Sequence, residues 1–162
     1  MRFGLKRVLA VWALALVIFG GEEAWRFSQR YAFGINETDS LPNWAFVVDR
    51  QDHAPRRGEL VTFIAPDNPY YPRGARFTKI AWGAPGDVVT RVGREYFVNG
   101  RSGGVSKPFS QTGRATTLGP TGVIPPGRFY VGTPHKDSLD SRYGEIGWIG
   151  AERIVGVARP VM

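Results

Sequence analysis

The chain has 162 residues, 43% hydrophobic and 13% aromatic, which is enough for one domain with a buried core and too apolar for a disordered chain. It has no cysteine, so a disulfide framework, a zinc-thiolate cluster and a cysteine nucleophile are all excluded. The net charge of +7 includes Arg2, Lys6 and Arg7, and with no long Lys/Arg run or helix-turn-helix pattern no nucleic-acid partner is expected.

From Val8 to Gly21 runs an uncharged apolar stretch, VLAVWALALVIFGG, with Lys6 and Arg7 before it and Glu22 and Glu23 behind it. It is shorter than the ~20 residues of a usual spanning helix. Phe3 and Leu5 lengthen it, with Lys6 and Arg7 snorkelling and Trp12 and Trp25 near the interfaces. Phe19-Gly20-Gly21-Glu22 is a poor small-x-small cleavage site, so an uncleaved anchor in inner-membrane lipid is expected. The N-terminal positive charges place the tail in the cytoplasm and the chain after Glu22 outside it. Two parts are expected: residues 1–30 as anchor and connector, and 31–162 as a periplasmic domain.

The helix is expected to continue through Ala24 to Arg30, after which short strands follow. They are predicted at Ala45 to Val48, Glu59 to Ala65, Arg76 to Trp82, Asp87 to Val92, Glu95 to Asn99, Arg128 to Gly132 and Arg153 to Arg159. The 21 glycines and 12 prolines leave little room for other helices. The predicted fold is mainly β, an antiparallel barrel or coiled sheet built from hairpins. Ser102 to Pro126, rich in Gly, Ser, Thr and Pro, reads as a long loop or flap.

Three stretches carry candidate chemistry: INETDSLPNW around Ser40, RFTKIAWGAPGDVV around Lys79, and YVGTPHKDSLDSRYG around Ser138 to Arg142. Each has an ordinary structural reading: a turn serine, an edge lysine, a β-turn at Ala84 to Asp87 and a surface ion pair. Their combination points further. Lys79 lies in an apolar strand with Phe77, Ile80 and Trp82, and burial there disfavours the ammonium and lowers the lysine pKa toward that of a working base. Ser40, ahead of Leu41-Pro42, sits where a rigid turn presents its hydroxyl, a weak nucleophile until a base takes its proton. A Ser-Lys pair is a known variant of that logic. His53 or His135 in a Ser-His-Asp arrangement is the competing mechanism, although neither lies in a Gly-x-Ser-x-Gly pattern. No cofactor is expected, and no metal, since the two histidines lack zinc-site spacing.

In this order the three stretches resemble the type I signal peptidase family, and more closely its conjugative-transfer branch, the TraF-type pilin-processing peptidases. Asn36, Thr38, Ser40 and Pro42 reproduce the branch's Asn-x-Thr-x-Ser-x-Pro. Lys79, Ala81, Gly83, Pro85, Gly86 and Asp87 match its lysine region. Ser138, Asp140, Ser141, Arg142 and Tyr143 match Ser-x-Asp-Ser-Arg-Tyr, with Gly144 one position early.

The resemblance implies Ser40 as nucleophile and Lys79 as general base, with an oxyanion hole from the Ser40 N–H and the Thr38 hydroxyl. It implies that Ser138 orients the Lys79 amine while Asp140 and Arg142 support the loop. The implied substrate is an exported precursor, in this branch a pilin subunit, whose acyl-enzyme is resolved by water or by ligation into a ring. There are departures. General signal peptidases carry Met after the nucleophile, Arg where this chain has Ile80, and Gly-Asp-Asn-Arg where it has Gly132-Thr133-Pro134-His135. Trp44 replaces a glycine of the branch. A general signal peptidase is the first alternative, and an inert membrane-tethered β scaffold of a secretion system the second. A Ser-Lys self-cleaving repressor is disfavoured by the apolar N-terminus.

Overall fold

The computed structural model describes residues 17, 20–35, 40–43 and 45–161. Helix α1 (residues 20–30) is exposed along its length and runs directly into β1 (Tyr31–Ile35). Strand β1 pairs antiparallel with β2 (Ala45–Asp49), Tyr31 opposite Asp49, and the Arg30 guanidinium donates to the Asp49 carboxylate at 2.7 Å across that corner. Among the described residues no helix is long and apolar enough to cross a membrane, and most of the Val8 to Gly21 stretch lies outside them.

Two antiparallel sheets make up the fold. The larger has the order β1, β2, β11 (Ile154–Pro160), β3 (Leu60–Ile64), β4 (Arg76–Gly83), β9 (Arg128–Gly132) and β10 (Ile149–Gly150). The smaller runs β7 (Arg101–Val105), β6 (Glu95–Val98), β5 (Val88–Val92), β8 (Gly122–Val123). Neither sheet closes on itself among the described residues, so the architecture is two open sheets and not the barrel that is one of the two expected forms.

Every second residue of a strand lies on the same face, and this divides the core. Val61, Phe63, Ala81, Phe129, Val131, Ile146, Ile149 and Ile154 fill one side of the large sheet. Phe46, Val48 and Ala158 form a second cluster with Leu41, against which Leu60 and Ile80 pack. The third cluster, Val89, Tyr96, Val98, Ile124 and Tyr130, joins the two sheets, with Trp82 and Trp148 packed on it.

Two turns set the hairpins. Ala84 to Asp87 closes with Asp87 N–H donating to the Ala84 carbonyl at 3.0 Å, and Gly86 at φ 89° after Pro85 fits a type II turn. Asn99 and Gly100, at φ 48° and 77°, form the two-residue link between β6 and β7, where positive φ at both positions matches the twist of the strands.

The segment Ser102 to Pro126 is more ordered than a loop. It contributes to β7 and β8 and forms isolated bridges between Phe109 and Ala115 and between Leu118 and Tyr143. Its backbone is tied to the 140–144 loop: Gly119 N–H donates to the Arg142 carbonyl at 2.9 Å, and Gly144 N–H to the Thr117 carbonyl at 3.1 Å.

Candidate active site

Lys79 sits in the middle of β4, opposite Val61 of β3, and is 6% exposed. Its amine lies 5.5 Å from the centre of the Phe77 ring, two residues back on the same face. Burial pushes its pKa from 10.5 down to about 8; the Asp140 carboxylate opposes this and the Arg142 guanidinium adds to it. A lysine held near 8 exists in part as the free amine at neutral pH and so can accept a proton.

Ser40 opens a turn, residues 40–42, and is half-buried. The next residue, Leu41, is 6% exposed and belongs to the apolar cluster on which Ile80 packs. The turn is therefore held on the apolar cluster of β2 and β11, against which Ile80, the residue after Lys79 in sequence, also packs from the opposite face of β4 to the Lys79 side chain. Thr38 lies outside the described residues, as do Asn36 and Trp44.

The third stretch folds back along β9. Ser141 N–H donates to the Val131 carbonyl at 3.0 Å, and Val131 N–H donates to the Ser141 hydroxyl at 2.9 Å. Leu139 packs on the Val61 and Ala81 face, bringing the loop over the side of the sheet that carries Lys79. Asp140 and Arg142 form a buried bidentate pair: Arg142 Nε and Nη2 donate to Oδ1 and Oδ2 at 2.8 and 2.7 Å, with Arg142 2% and Asp140 0% exposed. The same guanidinium donates to the carbonyls of His135 and Val105, so one cation ties the loop to β7. Burial opposes the Arg142 charge, but the Asp140 hydrogen bonds outweigh it and hold the pKa above its ordinary value.

Ser138 is 3% exposed, and its hydroxyl has no hydrogen-bond partner among the described residues, so the bond to the Lys79 amine implied by the resemblance is not formed here. His53 is exposed in the 50–58 loop. The His135 Nδ1 accepts the Asp137 N–H at 3.2 Å, which employs that imidazole locally in a turn.

Asp87 has a supporting role that sequence reasoning missed. Buried at 3%, it takes hydrogen bonds from Arg57, from Asn99 Nδ2 at 2.9 Å and from the Ala84 N–H at 2.8 Å. Burial pushes its pKa up, and these bonds together bring it below the ordinary carboxylate value. The network locks the turn at the end of the Lys79 strand to the 50–58 loop and to the β6–β7 hairpin. No spacing pattern links Arg57 to Asp87; only the Pro85-Gly86-Asp87 turn residues were a signal.

Comparison with known proteins bears on the chemistry. The profile of the family described as signal peptidase, peptidase S26, matches residues 5–162. Among solved structures, the chain is similar to a signal peptidase I from Enterococcus faecalis, with 25% identity over 64% of this chain and 96% of that one and a TM-score of 0.43. No curated protein sequence matches it. With a family match over nearly its whole length, the chain belongs to the S26 signal peptidase family and is a serine peptidase of the signal peptidase type, a class that processes exported proteins.

Proposed function

We propose that the chain is a membrane-anchored endopeptidase in which Ser40 is the nucleophile and Lys79 the general base. The observation that carries this reading is Lys79 itself. It is a lysine 6% exposed in a central strand, with its pKa lowered to about 8 by burial, and the residue after Ser40 is docked in the apolar cluster that includes its neighbour Ile80. A buried ammonium is costly in a structural role, whereas a depressed pKa suits a base that works near neutrality.

In this reaction the free Lys79 amine takes the Ser40 proton as Oγ bonds to the scissile carbonyl carbon. The Ser40 N–H and the Thr38 hydroxyl receive the oxyanion. The carbon–nitrogen bond breaks as the lysine ammonium returns its proton to the leaving amine. Water, or the amine of a second chain end, then resolves the ester. His53 and His135 take no part.

The precursor lies as an added strand beside β4. Strand β9 pairs with β4 from Ile80 onward, and among the described residues no strand pairs with Arg76 to Thr78 on that side. Small residues such as alanine before the cut would fill shallow pockets beside that strand. Residues 1–30 are the anchor and 31–162 the periplasmic catalytic domain. The precursor is a pilin subunit of a conjugative or type IV secretion system, as the TraF-like Asn36-x-Thr38-x-Ser40-x-Pro42 pattern favours.

The test is covalent labelling. The purified full chain is treated with an acylating serine-protease inhibitor and the adduct is located by mass spectrometry. Labelling at Ser40 that is lost in Lys79→Ala supports the reading; labelling elsewhere, or equal labelling of the variant, overturns it.

A further inference from the structure

Thr133 follows the last residue of β9. The β4–β9 register sets Ala81 opposite Val131 and Ile80 opposite Gly132; carried one residue further, it sets Thr133 opposite Lys79 on the same side of the sheet. Directly opposed residues of an antiparallel pair have Cβ atoms about 4.5–5.5 Å apart. Thr133 is 0% exposed, and its hydroxyl has no hydrogen-bond partner among the described residues. Its counterpart in the returning loop is Ser138, also buried and also unpartnered.

Two buried, unpartnered hydroxyls on the side of the sheet that carries a buried amine make poor sense as packing. A hydroxyl without a partner destabilises the fold, and valine would fill the same space without that cost. The chemistry of a general base gives them a purpose. A neutral amine has two N–H donors and one lone pair, and only the lone pair can take a proton. On the β3 side Lys79 faces Val61, which offers no acceptor. The charged groups acting on the amine are Asp140 and Arg142, already committed to each other.

We propose that Thr133 is a positioning residue for Lys79: its hydroxyl accepts one N–H of the free amine and Ser138 accepts the other, which leaves the lone pair facing Ser40. The assignment rests on Lys79 being the base. The long lysine stem lets the amine settle between the two acceptors.

The experiment uses the full chain in detergent as parent, Thr133→Val, Thr133→Ser and Lys79→Ala. Turnover is followed across pH with an internally quenched peptide carrying alanine before the scissile bond. The Lys79 titration is followed separately by NMR of isotope-labelled lysine side chains, which needs no turnover. Thr133→Val is expected to lower kcat by about 10- to 100-fold with KM nearly unchanged, the range of a lost positioning contact. Its thermal midpoint should be no lower than that of the parent. The Lys79 titration should move to lower pH, because valine removes an acceptor that favours the ammonium. Thr133→Ser should restore both kcat and titration. An unchanged kcat, an unmoved titration, or a serine variant as impaired as the valine variant each overturns the role. Activity in Lys79→Ala would overturn the assignment of the base itself, whereas a dead Lys79→Ala beside a parent-like Thr133→Val removes Thr133 alone.

Discussion

Leu41 and Ile80 share one apolar cluster, so the residues that follow Ser40 and Lys79 in sequence are held against the same patch of core. Leu41 is thus the anchor that holds the Ser40 turn on the core next to β2 and β11. Leu41→Ala is expected to destabilise the protein by about 2–4 kcal/mol, the usual cost of truncating a buried leucine. It should lower precursor cleavage by more than its unfolded fraction explains. Thermal unfolding and turnover measured on the same preparation check this; a stability loss with full specific activity would release Leu41 from the role.

The Asp140–Arg142 pair gives a second expectation. Arg142→Leu leaves a carboxylate that is 0% exposed without its partner and should cost about 3–5 kcal/mol. Removing both charges in Asp140→Leu/Arg142→Leu should recover part of that loss, because no unpaired buried charge is then left. Denaturant unfolding of the two variants decides it, and a double variant less stable than Arg142→Leu would contradict the pairing argument.

Most of the strands were legible because they alternate or are continuously apolar between turn residues. Arg128 to Gly132 matches in full, and the six others each begin and end within one residue of the observed bounds. Strand β7 was not legible, since Arg-Ser-Gly-Gly-Val has little strand propensity. It forms because the Asn99-Gly100 turn folds it back on β6, and because glycine at 104 leaves room for Arg142, whose Nη1 a Cβ would meet at 2.8 Å. The burial of Lys79 was anticipated partly from Ile80 and Trp82. Those two lie near or on the opposite face by alternation, and Phe77 is the apolar neighbour that shares its side. Thr133 gave no signal in the sequence; its place follows only from the register of β9 on β4.

The depressed Lys79 pKa carries a stability expectation whose sign is fixed. The unfolded lysine keeps its proton up to about 10.5 and the folded one releases it at about 8, so the unfolded chain binds more protons between these values and the fold gains stability as pH rises through that window. Below pH 8 the buried ammonium costs roughly 3 kcal/mol, at ~1.4 kcal/mol per pKa unit. Lys79→Met is therefore expected to be inactive yet more stable than the parent at pH 7, with the gain shrinking toward pH 10. Thermal unfolding at several pH values reads it; a variant less stable at pH 7 would contradict the burial argument.

In the proposed mechanism Ser40 and Lys79 act as one catalytic unit. The most direct measurement is precursor cleavage by the parent, Ser40→Ala, Lys79→Ala and the double variant at the alkaline plateau of the parent's pH profile, with folding of each verified. Residues that work as a unit are non-additive, so each single change is expected to abolish cleavage and the double variant to be no worse than either. Substantial cleavage by folded Lys79→Ala, or a double variant much weaker than both single ones, would contradict the account.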